Sequence, residues 1–396
     1  MRVAGVICEY NPLHLGHAWM MTEVRRQGAD AIVCAMSGNF VQRGEAAIAD
    51  KLSRAEMAVR CGADLVLELP TPWAAATAEI FARGGVMLLE KTGVVTDLAF
   101  GSECGDASAL QRLAAVLDTD EYAENLRALL AGGEMFAVCR QKAAAALAGE
   151  ETAMLLRNPN NNLGVEYCRA LTRTGSNMGV MTVPRLGAGH DGAPVEGVAS
   201  ASYIRQLLLA GKREEALSYM PPAAADVLRR ELAAGRAPAT LANCERAVLS
   251  KLRTVAEEDF VPYDGGEEGL YRRFYQAVRT TAGIEELLDA AKTRRYSHAR
   301  LRRMMLAAWL DMTPAPEEVP YLRVLAANET GRKLLRQMRD NGAPVLTKAA
   351  DVAALGAEAE AFFCAEALRT DLYALTFPDL RQSGCGRDWR TTPVML

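Results

Sequence analysis

Histidine is scarce in this chain, with four among 396 residues. Its nine cysteines are odd in number, widely scattered and without any Cys-x-x-Cys pair, so neither a disulfide framework nor a thiolate zinc site is indicated. No stretch reaches the roughly 18 uncharged apolar residues that a membrane span needs. The opening run M-R-V-A-G-V-I-C-E meets Glu9 too soon for the apolar core of a secretion signal. A cytoplasmic protein with no membrane partner is therefore expected. Strong charge of one sign is lacking too: at a net charge of −4, any polyanionic partner must be held by a local basic patch rather than by the overall field. With half of the residues hydrophobic and 24% charged, the composition is that of a globular protein with a sizeable core.

The length exceeds one typical domain. Short apolar runs at Val3–Cys8, Ala31–Met36, Asp64–Leu69 and Asp97–Phe100 alternate with helical stretches at Ala18–Gln27, Lys51–Cys61 and Ala76–Lys91. Such βαβ units force parallel pairing, and ligands in these sheets bind beyond the carboxyl ends of the strands. Helical pattern continues through Ala107–Leu117 and Glu134–Leu147, is broken at Pro159–Asn162, and gives way to one more strand over Met178–Val183. A Gly-rich turn follows from Arg185 to Gly192. From about Gly211 the composition shifts to Ala, Leu, Arg and Glu with few β-branched runs. The expected architecture is a Rossmann-like parallel-sheet α/β domain over residues 1–211, followed by an all-helical domain over 212–396. Apolar spacing at Met304–Leu310 reads as core, and the cysteines read as small buried hydrophobes.

Two of the histidines stand together in C-E-Y-N-P-L-H-L-G-H, at the junction of the first strand and the first helix. Backbone N–H groups and the helix dipole favour an anion there. Asn11 and Pro12 make the turn, Gly16 lets a bulky ligand approach, and His14 and His17 fall on one helical face. A metal site would need a third ligand, and two histidines that merely cap and pack are the bland alternative. The distant S-A-S-Y-I-R at Ser200–Arg205 offers a Ser-rich helix start ending in Ile-Arg. His-x-Gly-His followed by such a motif resembles the nucleotidyltransferase superfamily, whose members attack the α-phosphate of ATP and release pyrophosphate.

The longer pattern is closer still. G-V-I-C-E-Y-N-P-L-H-L-G-H, M-S-G-N-F-V-Q-R-G-E at Met36–Glu45, A-D-K-L-S-R-A at Ala49–Ala55 and G-A-D-L-V-L-E-L-P at Gly62–Pro70 together resemble the bacterial tRNA(Met) cytidine acetate ligase family. The likeness continues in P-N-N-N-L-G-V-E-Y at Pro159–Tyr167, P-R-L-G-A-G-H-D at Pro184–Asp191, A-K-T-R-R-Y-S-H-A-R-L-R-R at Ala291–Arg303 and R-V-L-A-A-N-E-T-G-R at Arg323–Arg332. The resemblance implies an enzyme that adenylates acetate with ATP and passes the acetyl group to the exocyclic amine of the wobble cytidine in elongator tRNA(Met), without acetyl-coenzyme A. It implies an ATP site formed by Ile7, Glu9, Asn11, Pro12, His14, Gly16, His17 and Met20, with Gly101, Asn160 or Asn161, and Arg185. Ser200, Ser202 and Arg205 complete it. His14 and His17 would act on the phosphates, with Lys51 counted among the catalytic groups. Magnesium is expected to bridge the phosphates, although no carboxylate cage for it is visible.

Two further regions carry chemistry. Ser37, Asn39, Gln42 and Arg43 lie in a polar loop at the expected ligand edge and are read as ordering over substrate, while Lys51 and Arg54 follow on the next helix. Between Lys292 and Arg303 the chain has six Lys/Arg residues and no acid. Lys292, Arg294, Arg295, His298, Arg300, Arg302 and Arg303 are read as a phosphate-backbone surface, with Tyr296 and Trp309 near enough for base stacking. His190 either reaches the nucleotide or makes a loop hydrogen bond. Two other functions share parts of this pattern: a small-molecule adenylyltransferase of coenzyme biosynthesis, and a non-catalytic nucleotide-sensing RNA-binding protein.

Overall fold

The computed structural model describes residues 1–185, 194–195, 197–264 and 269–396. His190 and most of the Gly-rich turn lie outside the described residues. Strands β1 (Val3–Cys8), β2 (Ala31–Ser37), a two-residue pair β3 (Phe40–Val41) and β4 (Glu45–Ala46), β5 (Leu65–Leu69), β6 (Asp97–Ser102) and β7 (Gly179–Pro184) come first. β8 (Leu322–Ala327), β9 (Val345–Leu346) and β10 (Val394–Met395) come from the last quarter of the chain. Strands β1, β2 and β5 are buried along their whole length, as expected of parallel strands covered on both faces.

The main sheet runs β10-β8-β5-β2-β1-β6-β7. From β5 to β7 all pairings are parallel. The chain lays β2 and β5 on one side of β1, then crosses over to lay β6 and β7 on the other. The carboxyl ends of β1 and β6 therefore form the point where strand order reverses, which is where doubly wound sheets open a ligand crevice. Helices Ala78–Lys91, Ala107–Leu117 and Pro159–Thr174 cover one face. Leu15–Arg26, Lys51–Arg60, Ala201–Leu209 and Pro222–Ala233 cover the other. Pro159–Asn162, expected as a break, is the first turn of its helix, with Pro159 at the position where the missing N–H costs nothing.

The α/β class and a helical region in the second half are both present, but the chain after 211 is not helical to its end. Helices between Glu245 and Trp309 form a separate apolar core around Phe274, Leu287 and Trp309. Residues from Leu322 onward then return to the sheet, β8 pairing antiparallel with β5 and β10 parallel with β8. The run L-R-V-L-A-A hides this strand, because Leu and Ala dominate it and it has no alternation. The cysteines also divide: Cys364 and Cys385 are exposed, whereas Cys8, Cys34, Cys139, Cys168 and Cys244 are buried.

A buried ion cluster fastens the returning segment to the sheet. Lys51 Nζ lies 2.7 Å from Glu68 Oε1 and 2.8 Å from Asp388 Oδ2, and Arg323 lies 2.7 Å from the same Asp388 oxygen. Burial opposes the charge on Asp388, yet the two cations hold its carboxyl down at about 2. Removing one member of a buried pair leaves an uncompensated charge, which costs about 3–5 kcal/mol. Asp388→Asn is therefore expected to destabilise the protein by that amount in urea unfolding at pH 7; a change below about 1 kcal/mol would show that the cluster is not what fastens the C-terminal segment.

Candidate active site

At the switch point a cavity of about 240 Å³ opens between the ends of β1 and β6 and the start of the first helix. Ile7 comes from the end of β1, Glu9 from the residue just after it, and Gly101 from β6. His14, Gly16, His17 and Met20 come from the first helix and its cap. Tyr10, between strand and cap, has a positive φ of 45°, a conformation that bulky residues avoid. Its ring meets His17 edge-on at 5.0 Å. Pro12 follows Asn11 through a cis peptide and does not line the cavity.

The two histidines do each other's local work. His14 is the N-cap of the helix, its Nδ1 accepting from the Gly16 N–H at 3.1 Å, while His17 Nδ1 accepts from the His14 N–H at 3.3 Å. The rings stack with centroids 3.7 Å apart. A Cβ on residue 16 would sit 3.0 Å from the His14 ring, so glycine is what allows this packing. With both Nδ1 atoms accepting, the hydrogen-bond network assigns the proton to Nε2. Burial, reinforced by the Arg185 guanidinium, lowers His14 to about 3 and His17 well below its ordinary value. Both rings are neutral donors near pH 7.

Cationic groups close the cavity from two sides. Arg185 follows β7 and donates to Asn160 Oδ1 at 2.8 Å. Arg205 donates to the Asn11 carbonyl at 2.8 Å and to Ser202 at 3.4 Å. Ser200 caps the helix that carries Ser202 and Arg205, its Oγ accepting from the Tyr203 N–H. Of the two asparagines, Asn160 lines the cavity. Asn161 is 1% exposed and turns away, accepting from the Glu103 and Cys104 N–H groups. Adjacent helical residues point about 100° apart, so only one can face the ligand.

The sequence model of the HIGH Nucleotidyl Transferase family matches residues 1–388. A tRNA(Met) cytidine acetate ligase of Syntrophomonas wolfei is 34% identical, with 100% of this chain and 99% of the relative aligned. One from Thermotoga petrophila is 35% identical over 98% of this chain and 99% of its own length. The chain belongs to the HIGH nucleotidyltransferase family. A crystal structure of Thermotoga maritima TmcAL without ligand superposes with a TM-score of 0.95 at 34% identity, each chain covered in full. The same protein bound with alpha-thio ATP superposes with a TM-score of 0.93, again over both whole chains.

Seen as a nucleotidyltransferase, the chain distributes its polar loop unevenly. Gln42 and Arg43 line the cavity. Ser37 and Asn39 do not; both are buried, and Asn39 joins the Lys51 N–H at 2.9 Å to Thr370 at 3.2 Å. Lys51, expected among the catalytic groups, is 2% exposed, and its ammonium is spent on the ion cluster rather than on the cavity. Its position three residues before Arg54 gave no hint of this, because the partners Glu68 and Asp388 are distant in sequence. Glu45, in the same quoted motif as Gln42, also lines the cavity, as do Phe81, Phe100 and Tyr167, for which spacing offered no signal.

The basic segment adjoins this loop. Gly44, at a φ of 74°, packs so closely that a Cβ there would lie 2.5 Å from the Arg303 nitrogen. Glu45 pairs with Arg205 at 3.6 Å and with Arg302 at 3.4 Å. Lys292, Arg294 and Arg295 are exposed, and His298, Arg300, Arg302 and Arg303 are half-buried. His298 lies 3.4 Å from Asp289, and the Arg300 guanidinium sits 5.1 Å above the Tyr296 ring. Tyr296 and Trp309 are 7% and 4% exposed, so neither offers a face for base stacking.

The neutral histidines make stability pH-dependent in a defined direction. His14 has a folded pKa of about 3 against an ordinary 6.5, so the unfolded chain takes up its proton first. Its contribution is complete above about 6.5 and is lost as pH falls toward the folded value, at a limiting slope of about 1.4 kcal/mol per pH unit. Urea unfolding of the ligand-free protein between pH 7 and pH 4 should show this loss, and His14→Asn, which keeps a capping side chain, should flatten the slope by up to one proton. An unaltered slope would mean that His14 is protonated in the folded protein.

Proposed function

We propose that the cavity activates acetate with ATP as the first half of a tRNA acetylation. The chain is an ATP-using tRNA(Met) cytidine acetate ligase: acetyl-adenylate forms with release of pyrophosphate, and the acetyl group passes to the exocyclic amine of the wobble cytidine of elongator tRNA(Met). The observation that carries this reading is the convergence of two neutral imidazoles, a helix N-terminus and two guanidiniums on one cavity whose rim touches a basic helical segment. Acetate is a poor electrophile, and adenylation converts its oxygen into part of a good leaving group. For that step the protein needs orientation and charge neutralisation rather than a covalent intermediate.

In this reading, His14 and His17 donate Nε2–H to phosphate oxygens, and Arg185 and Arg205 neutralise charge developing toward pyrophosphate. Asn160 positions Arg185. Magnesium would be carried in with the nucleotide; among the described residues no group of three or more His, Cys, Asp or Glu side chains is gathered for a metal ion. It would supply further neutralisation of the phosphates. Free acetate, not acetyl-coenzyme A, supplies the acyl group, and the reaction belongs in the cytoplasm, where the tRNA is. Among the described residues no helix is long and apolar enough to cross a membrane. The sheet domain, including the returning strands, activates acetate; the helical segment between 245 and 310 presents tRNA through Lys292, Arg294 and Arg295. The coenzyme-adenylyltransferase and nucleotide-sensor readings are not favoured, because full-length relatives carry the ligase name.

Acetate-dependent exchange of labelled pyrophosphate into ATP tests the activation step. Exchange that needs acetate and proceeds without tRNA is expected; exchange absent with acetate but present with a phosphorylated coenzyme precursor would transfer the chain to the rival class. The tRNA surface has a separate test in a filter-binding salt titration. Replacing both Arg294 and Arg295 by Ala should weaken tRNA binding and reduce the log–log salt slope by about 1–2 units, as each lost phosphate contact removes roughly 0.7–0.9. An unchanged slope would show that these side chains face only solvent.

A further inference from the structure

Acetyl transfer leaves one proton to be placed. As the cytidine amine attacks the acetyl carbon, an N–C bond forms, the C–O bond to AMP breaks with its electron pair leaving on the phosphate oxygen, and the nitrogen must release a proton to become an amide. The receiving group has to reach the cavity and be able to accept. Cys8, Tyr10 and Tyr167 line the cavity, but burial raises all three, so they hold their protons near neutral pH. His14 and His17 have their Nδ1 atoms occupied by backbone N–H groups, and burial makes both poor bases. The Glu45 carboxylate is shared between Arg205 and Arg302.

Glu9 differs from all of these. It follows the last residue of β1, at the switch point, and lines the cavity. One carboxylate oxygen accepts from the Gln42 N–H at 2.8 Å, and among the described residues the side chain forms no ion pair. Its place in the wall matters as much as its freedom. Gln42 belongs to the turn whose Gly44 abuts the backbone of Arg302 and Arg303, so Glu9 stands where the nucleotide cavity meets the basic segment. Burial raises its carboxyl from the ordinary value, opposed by the Gln42 N–H, Arg205 and Arg54 and assisted by Glu45, and Tyr167 on the neighbouring helix interacts with it electrostatically. A raised carboxylate is better matched to accepting a proton near neutral pH than an ordinary one.

We propose that Glu9 is the general base that takes the proton from the exocyclic amine of cytidine as the acetyl group is transferred. The proposal rests on the acetate-ligase reading above. AMP departs, the proton resides on the Glu9 carboxylate, and it is then passed to solvent.

The two half-reactions can be read separately in the full-length protein. Enzyme is first loaded with ATP and labelled acetate, then mixed with tRNA, and single-turnover acetylation is followed between pH 5 and pH 8; acetate-dependent pyrophosphate exchange is measured in parallel. In the unaltered protein the transfer rate should rise with pH along a single ionisation to a plateau. Glu9→Gln, which keeps an acceptor for the Gln42 N–H, should lower transfer by about 10²–10⁴-fold, lower it at least tenfold more than exchange, and abolish the ionisation from the profile. Glu9→Asp, with a shorter carboxylate, should restore part of the rate together with the ionisation. Equal losses in exchange and transfer, or a transfer profile that keeps its ionisation in Glu9→Gln, overturn the assignment and place Glu9 in nucleotide binding alone. Should Glu9→Gln prove too unstable to purify, an ionisation missing from the unaltered protein, or Glu9→Asp transfer equal to that of the unaltered protein with an unshifted ionisation, overturns it as well. Absence of acetate-dependent exchange in the unaltered protein is a different failure, that of the acetate reading itself.

Discussion

The buried guanidinium of Arg54 holds the floor of the candidate active site in place. Strands that stop in the middle of a molecule leave carbonyls facing inward, and a buried carbonyl without a donor costs free energy comparable to a lost hydrogen bond. Arg54 is 0% exposed and donates to the carbonyls of Ala49, Glu9, Ser37 and Gly38. It thereby ties the end of β1 to the end of β2 and to the entry of its own helix. Arginine alone offers five donors in a rigid fork, which is why no other side chain would satisfy this set. Burial pulls its pKa down from the ordinary value, yet among the described residues its hydrogen-bond partners are carbonyls and not carboxylates. The positions of Glu9, Gln42 and Glu45 all descend from this one anchor, since each lies on a segment whose backbone Arg54 holds.

Around that floor the cavity has donors but little fixed charge beside the two histidines, which suits the phosphate site proposed for it. Neutral imidazoles stacked 3.7 Å apart can coexist, whereas two imidazolium rings at that separation beside Arg185 would repel one another. Donors rather than cations line the floor, and the guanidiniums approach from the walls on side chains held by Asn160 and by the Asn11 carbonyl. Such preorganised dipoles need little rearrangement when charge develops on phosphorus. The cost of this arrangement falls on stability in acid, because the same rings would have to be charged to match their unfolded state.

Much of this was legible from residue order. The parallel sheet followed from apolar runs spaced by helices, and β1, β2, β5, β6 and β7 lie within a residue or two of where periodicity placed them. The geometry of the two histidines was legible because strand, turn, glycine and helix start are contiguous, so that local chemistry decides it. Three things were not. β8 has the composition of a helix and becomes a strand only because β5 offers it an edge. Lys51 reads as a reactive lysine beside a polar loop, and only its meeting with Glu68 and Asp388, 17 and 337 residues away, makes it structural. Tyr296 reads as a stacking platform among arginines, and its burial is decided by the core that the helical region closes around it. Each failure concerns a residue whose partner is remote in sequence, where spacing carries no information.

The cavity at the switch point and the basic segment are not independent parts joined by a linker. A single carboxylate, Glu45, lies between Arg205 of the nucleotide cavity and Arg302 of the basic segment, and Gly44 beside it leaves no room for even one methyl group against the Arg303 backbone. Phe40, at the start of the same turn, is fully buried and packs edge-on against Trp309 at 6.0 Å and Tyr373 at 5.8 Å, so the turn is built into the core of the helical region. Close-packed interfaces of this kind transmit displacement rather than absorbing it. The returning C-terminal segment closes the circuit, because Thr370 and Asp388 grip Lys51, and the Lys51 N–H is bonded to Asn39 next to Phe40. The last quarter of the chain, which carries no residue of the cavity wall, is thus tied to the loop between the cavity and the basic segment.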